Sequence, residues 1–201
     1  MLNFSAPFIP QFFNAQVQDL LPFCDYIICN ETEAESWANA VGQPETKDLA
    51  AIAKAIANSP KSNGSRPRTS IITHGAESTV FVTSGNDAVV VPVNALKPEE
   101  IVDTNAAGDG FAGGFVGALI SGRSVKESVE IGHRLGAMVV GQVCFSIVPM
   151  SFLYSDYPRL VHNTSGPKST FCERMAQHKT EQSGLLSTAN ALYITSVLLL
   201  A

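Results

Sequence analysis

The chain has 201 residues, of which 45% are hydrophobic and 15% charged, and its formal net charge is −5 at pH 7. A chain of this length and composition can fold as a globular protein with a sizeable core. The negative net charge argues against nucleic acid as a partner. The lack of a Lys/Arg cluster supports this, since Arg66 and Arg68 stand alone around Pro67.

The four cysteines have no metal-binding spacing. Cys24, Cys29, Cys144 and Cys172 form no Cys-x-x-Cys pair, so we expect buried thiols in a reducing cytosol. The N-terminus has no signal-like apolar core, and the apolar end at 191–201 is too short to cross a bilayer. We therefore expect a monomer without a membrane partner that works in the cytoplasm, with the nucleus as a second location.

Hydrophobic periodicity predicts helices that alternate with short apolar strands. The predicted helices cover residues 8–23, 31–41, a segment starting near 46, 108–121 and 125–140. The predicted strands cover residues 25–29, 69–73, 79–83, 88–91 and 99–103, with a hairpin between 79–83 and 88–91 and a loop at 59–67. This order favours an α/β sandwich with a largely parallel sheet.

The pattern changes near residue 144. The segment 144–201 has scattered Ser, Thr, Pro and His residues and no sustained period. We therefore predict a separate, poorly ordered tail over 144–201, and the alternative is one terminal helix over 185–200.

The most informative motif covers residues 103–111, with the sequence Asp-Thr-Asn-Ala-Ala-Gly-Asp-Gly-Phe. It joins a predicted strand to the start of a predicted helix, where unpaired N–H groups and the macrodipole favour an anion. The small residues Ala106, Ala107 and Gly108 let a phosphate approach the backbone, and Asp109 adds a carboxylate beside it. The motif therefore predicts a phosphoryl-transfer site. On local grounds, a turn that only caps a buried, glycine-rich helix is an equal alternative.

The same motif contains a second spacing pattern. Gly108, Gly110 and Gly113 are spaced as in a dinucleotide-binding fingerprint. We reject this interpretation because Gly110 and Gly113 fall inside the predicted helix. In addition, the segment after Ser121 has a helical pattern, whereas a dinucleotide fold needs a strand there to carry a ribose-binding acid.

The 103–111 run resembles the signature of the ribokinase-like carbohydrate kinases, Asp-Thr-x-(Gly/Ala)-Ala-Gly-Asp followed by a helix that opens with an aromatic residue. Within this family, the chain is most similar to the members that phosphorylate adenosine. The resemblance implies a three-layer sandwich and the conversion of adenosine to AMP with ATP and Mg²⁺, a purine salvage reaction. It makes Asp109 the base for the attacking hydroxyl, and the N–H groups of Ala106, Ala107 and Gly108 the hole for the transferred phosphoryl group.

The resemblance also implies contacts to the nucleotide. Thr73 and Gly75 match a Thr-x-Gly turn close to the nucleotide, for which an ordinary strand-to-turn junction is the alternative. His133 matches a helix position that lies against the adenine, although a lone histidine on a helix is more often a filler at the surface or in the core. Three further residues belong to the implied ATP site: Asp103, Thr104 and Asn105.

Asn30 and Glu33 match the family motif Asn-x-x-Glu, and the resemblance makes them indirect Mg²⁺ ligands that act through water. Asn at an N-cap followed by Glu three residues later is also a capping box that any helix can use, so both interpretations stay open. Near the N-terminus, the segment 5–9 resembles a strand end close to the acceptor pocket. Phe8 or Phe12 could approach a nucleoside there, but we expect both side chains in the core.

The match extends over about residues 3–143 and covers only the C-terminal part of a family member. Nothing corresponds to the N-terminal portion, which in the family supplies a Gly-Gly substrate motif, several strands and the lid over the sugar. We therefore expect residues 1–143 to form an incomplete kinase domain with an unpaired sheet edge and impaired activity. An incomplete gene model, a retained intron or a shifted frame would explain this. The alternative functions are a ribokinase-type sugar kinase and a non-catalytic nucleotide-binding remnant.

Overall fold

The computed structural model describes residues 1–44 and 47–141. The chain divides into two units, Met1–Phe145 and Ser146–Ala201. The second unit lies outside the described residues, so the tail predicted for 144–201 and the alternative helix over 185–200 stay predictions.

Five strands form one sheet in the described part of the chain. They are β1 (Leu2–Asn3), β2 (Tyr26–Asn30), β3 (Thr69–Thr73), β4 (Thr79–Thr83) and β5 (Val89–Val91). They lie side by side in chain order, β1 to β3 are parallel, and β4 is antiparallel to both β3 and β5. Four of the five strands therefore run in one direction, which confirms the predicted largely parallel sheet. The register of β2 and β3 places Asn30 opposite Thr73, at the same carboxyl-terminal edge.

Helices cover both faces of this sheet. They are α1 (Phe8–Phe12), α2 (Asn14–Leu20), α3 (Glu31–Ala40), α4 (Leu49–Asn58), α5 (Ala107–Ile120) and α6 (Val125–Val140), with 3-10 turns at Leu21–Phe23 and Pro98–Glu100. Alternate residues of a strand face opposite sides, and the buried residues accordingly separate into two clusters. Ile27 and Ile72 belong to the cluster that contains Trp37 of α3, whereas Ile28 and Ile71 belong to the cluster that contains Phe115 of α5. The predicted three-layer sandwich is therefore confirmed.

Glycines form the contact between α5 and α6. A Cβ atom at Gly132 would lie 2.8 Å from a ring carbon of Phe111, and a Cβ atom at Gly114 would lie 3.0 Å from the Cα of Gly132. Gly110 is buried inside α5, as the rejection of the dinucleotide fingerprint requires. Because protein interiors are close-packed, only glycine allows the two helices to approach this closely. The contact fixes α5, and with it the turn that precedes this helix.

A buried arginine joins the loop at 59–67 to the rest of the fold. Arg68 is only 1% exposed, and its guanidinium group donates hydrogen bonds to five backbone carbonyls at 2.5 to 3.1 Å. The five acceptors are Leu21, Cys24, Ile56, Ser59 and Pro60. Three of these carbonyls lie at the C-terminal end of α4 or just beyond it. The Leu21 and Ile56 carbonyls also accept bonds from backbone N–H groups. For the carbonyls of Cys24, Ser59 and Pro60, the arginine is the only donor within residues 1–44 and 47–141.

The N-terminal segment differs from prediction. The helix predicted over 8–23 is divided into α1, α2 and a 3-10 turn, because Phe13 between α1 and α2 has non-helical backbone angles of −116° and 33°. Phe8 and Phe12, which we expected in the core, are 46% and 71% exposed.

The strand predicted over 99–103 is wrong. Pro98 begins a 3-10 turn instead, and the Glu100 carboxylate accepts a hydrogen bond from the Lys97 N–H group at 2.8 Å. The N–H groups of Val102 and Asp103 both donate to the carbonyl of Val140, at 3.0 and 3.1 Å. This segment is therefore bonded to the end of α6 rather than to the sheet.

Candidate active site

A pocket of about 580 Å³ opens at the carboxyl-terminal edge of β2 and β3, beside the N-terminus of α5 and one face of α6. Parallel α/β sheets bind ligands at this edge, and the volume is typical of a small-molecule site. Seven predicted site residues line the pocket: Asn30, Thr73, Gly75, Thr104, Ala107, Gly108 and His133. Five other predicted residues do not line it: Glu33, Asp103, Asn105, Ala106 and Asp109.

The turn before α5 has a fixed backbone shape. The Asp103 carboxylate accepts a hydrogen bond from the Asn105 N–H group at 2.8 Å, and the Ala107 N–H group donates to the Thr104 carbonyl at 3.3 Å. Ala106 lies between them with φ +60° and ψ 9°, in the left-handed region that an alanine adopts only at a cost. This strained residue turns the chain into the helix.

The N-terminus of α5 is open, unlike those of three other helices. Asn30, Asp48 and Ser124 each accept hydrogen bonds from first-turn N–H groups of α3, α4 and α6. Alanine has no such side chain, and no side-chain cap is present at Ala106. Within residues 1–44 and 47–141, the N–H groups of Ala106 and Gly108 have no hydrogen-bond partner. Of the three predicted donors, only Ala107 is already engaged.

Asp109 lies on the first turn of α5, and its side chain is exposed. A carboxylate at this position is one residue away from the free N–H group of Gly108. It is not part of the pocket wall, whereas its neighbour Gly108 is. The arrangement can hold an anion and offer it a neighbouring proton acceptor.

The edge of the sheet beside the pocket carries the turn after β3. Thr73 donates a weak hydrogen bond from Oγ1 to the Cys29 carbonyl at 3.4 Å, and it lines the pocket. Gly75 has φ +52°, so the turn needs a left-handed residue at this point. The strand-to-turn junction that we gave as the alternative is therefore present, and it also lines the pocket.

Asn30 and Glu33 form the capping box. The Glu33 N–H group donates to Asn30 Oδ1 at 2.8 Å, and the Asn30 N–H group donates to Glu33 Oε2 at 3.0 Å. Burial raises the pKa of Glu33, an effect that the hydrogen bond from Asn30 opposes. The structural use of this pair is thus present, while its use in metal binding stays a prediction.

Glu31 also lines the pocket, and the sequence motif did not include it. Its place as the first residue of α3, directly after Asn30, was the available signal. No group of three or more His, Cys, Asp or Glu side chains within residues 1–44 and 47–141 is arranged to hold a metal ion directly. Asn30 and Glu31 offer side-chain oxygens to the pocket, and Glu33 is bonded to the Asn30 N–H group.

His133 contacts two pocket residues. Its Nε2 atom lies 2.8 Å from Oγ1 of Thr79, and its ring centroid lies 5.5 Å from that of Phe111. Burial lowers the pKa of His133, so the ring is neutral near pH 7. Thr79 was missed by sequence reasoning, because its partner is distant in the chain.

The remaining pocket wall is mostly apolar. It includes residues of the segment after β5 and of the last two turns of α6: Val93, Leu96, Ile101, Ala137 and Val140. A ligand with a flat apolar end and an anionic end would match both parts of this pocket. Every helix in the part of the chain that the structure describes is too short or too polar to span a bilayer.

Comparison with known families identifies relatives of this fold. The sequence model described as "pfkB family carbohydrate kinase" matches residues 1–146. An adenosine kinase of Schizophyllum commune is 55% identical over 145 residues, which cover 71% of this chain and 42% of that protein. An adenosine kinase of Schizosaccharomyces pombe is 43% identical, covering 68% of this chain and 39% of that protein. The chain therefore spans about two fifths of the length of these relatives.

Solved structures of adenosine kinases also match this chain. A crystal structure of Anopheles gambiae adenosine kinase in complex with P1,P4-di(adenosine-5) tetraphosphate matches with a TM-score of 0.68 and 36% identity, covering 76% of this chain and 43% of that one. Adenosine kinase from Schistosoma mansoni in complex with 2-fluoroadenosine matches with a TM-score of 0.69 and 30% identity, covering 75% and 44%.

Proposed function

The chain belongs to the pfkB family of carbohydrate kinases, and on this premise we propose that it transfers the γ-phosphoryl group of ATP to a hydroxyl group of adenosine, giving AMP. The observation that carries the proposal is the open N-terminus of α5, with free N–H groups at Ala106 and Gly108 and the Asp109 carboxylate next to them. The relatives named adenosine kinases support the choice of acceptor.

In this proposal Asp109 is the catalytic base. Its carboxylate accepts the proton of the attacking hydroxyl as the oxygen–phosphorus bond forms and ADP leaves with the electron pair of the broken bond. The N–H groups of Ala106 and Gly108 donate hydrogen bonds to the oxygens of the group in transfer, where charge is largest. The helix macrodipole acts in the same direction.

The apolar wall of the pocket takes the base of ATP in the same proposal. The wall at Val93, Leu96 and Val140 is apolar, as a base-binding surface requires, and His133 supplies a polar edge to it. The triphosphate then extends towards Thr104 and Gly108, and its far end leaves the pocket beside Asp109. This orientation accounts for both parts of the pocket.

Mg²⁺ fits the edge formed by Asn30, Glu31 and Glu33. These residues offer oxygen donors, and the buried Glu33 carboxylate has no cationic partner among the described residues. When bound, Mg²⁺ neutralises phosphate charge. The Asn30 amide and the two carboxylates would hold it through water. A monomer, and a location in the cytoplasm or nucleus, stay predictions.

Binding and turnover of the purified chain test the proposal. Calorimetry with Mg·ATP measures nucleotide affinity, and AMP formation from adenosine measures transfer. In Asp109→Asn the amide cannot accept the proton, so we expect AMP formation to fall about 100- to 10,000-fold while Mg·ATP affinity stays within about twofold. Asp87→Asn removes a charge of the same sign from an exposed loop and should change neither quantity.

The possible results separate the candidate functions. AMP formation that is retained in Asp109→Asn would contradict the role of Asp109 as base. Binding of Mg·ATP without AMP formation would indicate a non-catalytic nucleotide-binding protein. Faster phosphorylation of ribose than of adenosine would indicate a sugar kinase of the ribokinase type.

A further inference from the structure

Thr79 is a buried polar residue for which the proposed reaction gives no role. It is the first residue of β4, it is 1% exposed, and it lines the pocket together with His133. Its hydroxyl oxygen lies 2.8 Å from Nε2 of His133, which is the only hydrogen bond of either side chain within residues 1–44 and 47–141. A buried hydroxyl group that has one specific partner in a pocket wall indicates a role for that partner.

The bond leaves the second ring nitrogen of His133 uncommitted. Nε2 is occupied by Thr79, one side of the ring faces Phe111 at a centroid distance of 5.5 Å, and Nδ1 has no partner in the described part of the chain. The ring is therefore held at two points. Rotation about its side-chain bonds would break the Thr79 bond and the Phe111 contact together.

We propose that Thr79 is a positioning residue that holds the His133 ring in one orientation, so that Nδ1 makes a hydrogen bond to the heterocyclic base of the nucleotide in this pocket. This inference rests on the proposed function, because it takes the pocket as the nucleotide site. It goes beyond that function in naming Thr79 as the residue that orients His133 towards the base.

The chemistry of imidazole explains why a fixed orientation matters. Since burial lowers the pKa of His133, the ring is neutral near pH 7 and has one donor and one acceptor nitrogen. The Thr79 hydroxyl can donate to Nε2 or accept from it, so the bond holds the ring in place in either tautomer. Nδ1 then keeps one position, from which it can bond to a donor or to an acceptor of the base.

The test compares three single variants. Thr79→Val removes the hydroxyl group with almost no change of shape, and Thr79→Ser restores it. Thr83→Val is the matched control, because Thr83 lies on the same strand and the same face and loses a similar bond, to Thr69 at 2.9 Å, away from the pocket. The ligands are Mg·ATP and Mg·tripolyphosphate, which carries the phosphates without a base.

We expect Thr79→Val to weaken Mg·ATP binding about three- to tenfold, the effect of one hydrogen bond, and to leave Mg·tripolyphosphate binding unchanged. Thr79→Ser and Thr83→Val should bind both ligands like the wild type. Nitrogen NMR of the His133 ring should show that Mg·ATP shifts the Nδ1 resonance in the wild type and in Thr79→Ser. In Thr79→Val this shift should be smaller, because the ring is no longer held towards the base.

The outcomes distinguish this inference from the function on which it rests. Equal Mg·ATP affinity of Thr79→Val and wild type, or an equal shift of the Nδ1 resonance by Mg·ATP in both, overturns the positioning role alone. Absence of Mg·ATP binding by the wild-type chain overturns the proposed function, and the recognition role with it. A parallel loss of Mg·tripolyphosphate binding in Thr79→Val would indicate a general structural effect and also overturns the inference.

Discussion

The C-terminal end of α4 and the N-terminal end of α5 differ in whether their backbone groups find hydrogen-bond partners. Every helix end leaves backbone groups without helical partners. At the end of α4, the guanidinium group of Arg68 donates to the carbonyls of Ile56, Ser59 and Pro60. At the start of α5, alanine provides no cap, and the N–H groups of Ala106 and Gly108 have no partner among the described residues.

The difference separates structural from functional polar groups. The α4 end is satisfied by the protein itself, so it stabilises the fold and offers nothing to a ligand. The α5 end leaves its donors unpaired and also keeps Ala106 at φ +60°, which costs about 1–2 kcal/mol. Strain and unpaired donors at one turn are typical of a site whose geometry is completed by a ligand.

The largest expected effect comes from removing the guanidinium group that donates to the carbonyls at the C-terminal end of α4. In Arg68→Met the apolar stem is kept, but five carbonyls lose the guanidinium donor. Two of them, Leu21 and Ile56, keep a bond from a backbone N–H group. We expect the free energy of unfolding to fall by about 3–5 kcal/mol, as measured by urea denaturation.

The matched control is Arg66→Met. Arg66 has an exposed side chain and an ion pair with Asp25 at 3.7 Å, so its loss should change the free energy of unfolding by less than about 0.5 kcal/mol. Equal decreases in the free energy of unfolding of the two variants would show that the five carbonyl bonds of Arg68 do not stabilise the fold. The contrast between the ends of α4 and α5 would then not hold.

The packing that holds the open end is tested by a pair of glycines on α5. A Cβ atom at Gly114 would lie 2.8 Å from Leu135 Cδ1 and 3.1 Å from the Ile131 carbonyl oxygen, whereas one at Gly113 meets nothing within 4 Å. We expect Gly114→Ala to lower the free energy of unfolding by about 1–3 kcal/mol, through overpacking. Gly113→Ala should raise it by up to about 1 kcal/mol, through helix propensity.

Urea denaturation of both variants measures the difference. A stabilised Gly114→Ala variant would mean that α5 and α6 can separate at little cost. In that case the position of the α5 N-terminus would not be fixed by the helix contact.

Much of the fold could be predicted because its elements have local signals. The strands over 69–73 and 79–83 and the helix over 125–140 were predicted with the bounds that the structure has, since β-branched runs and helical spacing are properties of short segments. The motif at 103–111 was placed at the start of a helix for the same reason, and α5 begins at Ala107. Seven of the predicted residues do line one pocket.

The failures have long-range causes. Ile101 and Val102 favour a strand over 99–103, but the N–H groups of Val102 and Asp103 donate to the carbonyl of Val140 instead of to a neighbouring strand. The Arg68 bond to Leu21 joins residues 47 apart, and the Thr79 bond to His133 joins residues 54 apart. Local periodicity contains no information about such partners. Their identification requires the assembled fold.

Gly108→Ala tests whether the N-terminus of α5 binds phosphate. A Cβ atom at this position meets nothing within 4 Å in the protein, so we expect the free energy of unfolding to rise by about 0.5–1 kcal/mol. In the proposed function a phosphate approaches the backbone at this turn, and the added methyl group would hinder it. Mg·ATP binding measured by calorimetry should therefore weaken about tenfold or more.

Gly113→Ala is again the control, because it gives the same gain in helix propensity away from the pocket. Stability should rise and affinity should fall in Gly108→Ala, whereas in Gly113→Ala only stability should change. Unaltered Mg·ATP affinity in Gly108→Ala would argue that the phosphates bind elsewhere.

The smallest effect concerns a closed N-terminus, that of α3, and depends on pH. Because burial raises the pKa of Glu33, the folded state binds its proton more tightly than the unfolded state does. Stability from this group is therefore fully present below the ordinary pKa of glutamate and is lost as the pH rises through the raised value. Glutamine at this position can still accept the Asn30 N–H bond but cannot ionise. Glu33→Gln should gain stability over the wild type as the pH rises towards neutrality and lose this advantage in acid.

Urea denaturation over a pH series measures the difference, and Glu33→Ala separates charge from capping. Alanine removes the accepting oxygen as well, so Glu33→Ala should lack the capping bond at every pH, at a cost of about 1 kcal/mol. If Mg·ATP binds at Asn30, Glu31 and Glu33 as proposed, the cation stabilises the carboxylate, and the advantage of Glu33→Gln at neutral pH should shrink when Mg·ATP is added. An advantage of Glu33→Gln that is independent of both pH and Mg·ATP would contradict the electrostatic explanation and leave only side-chain packing.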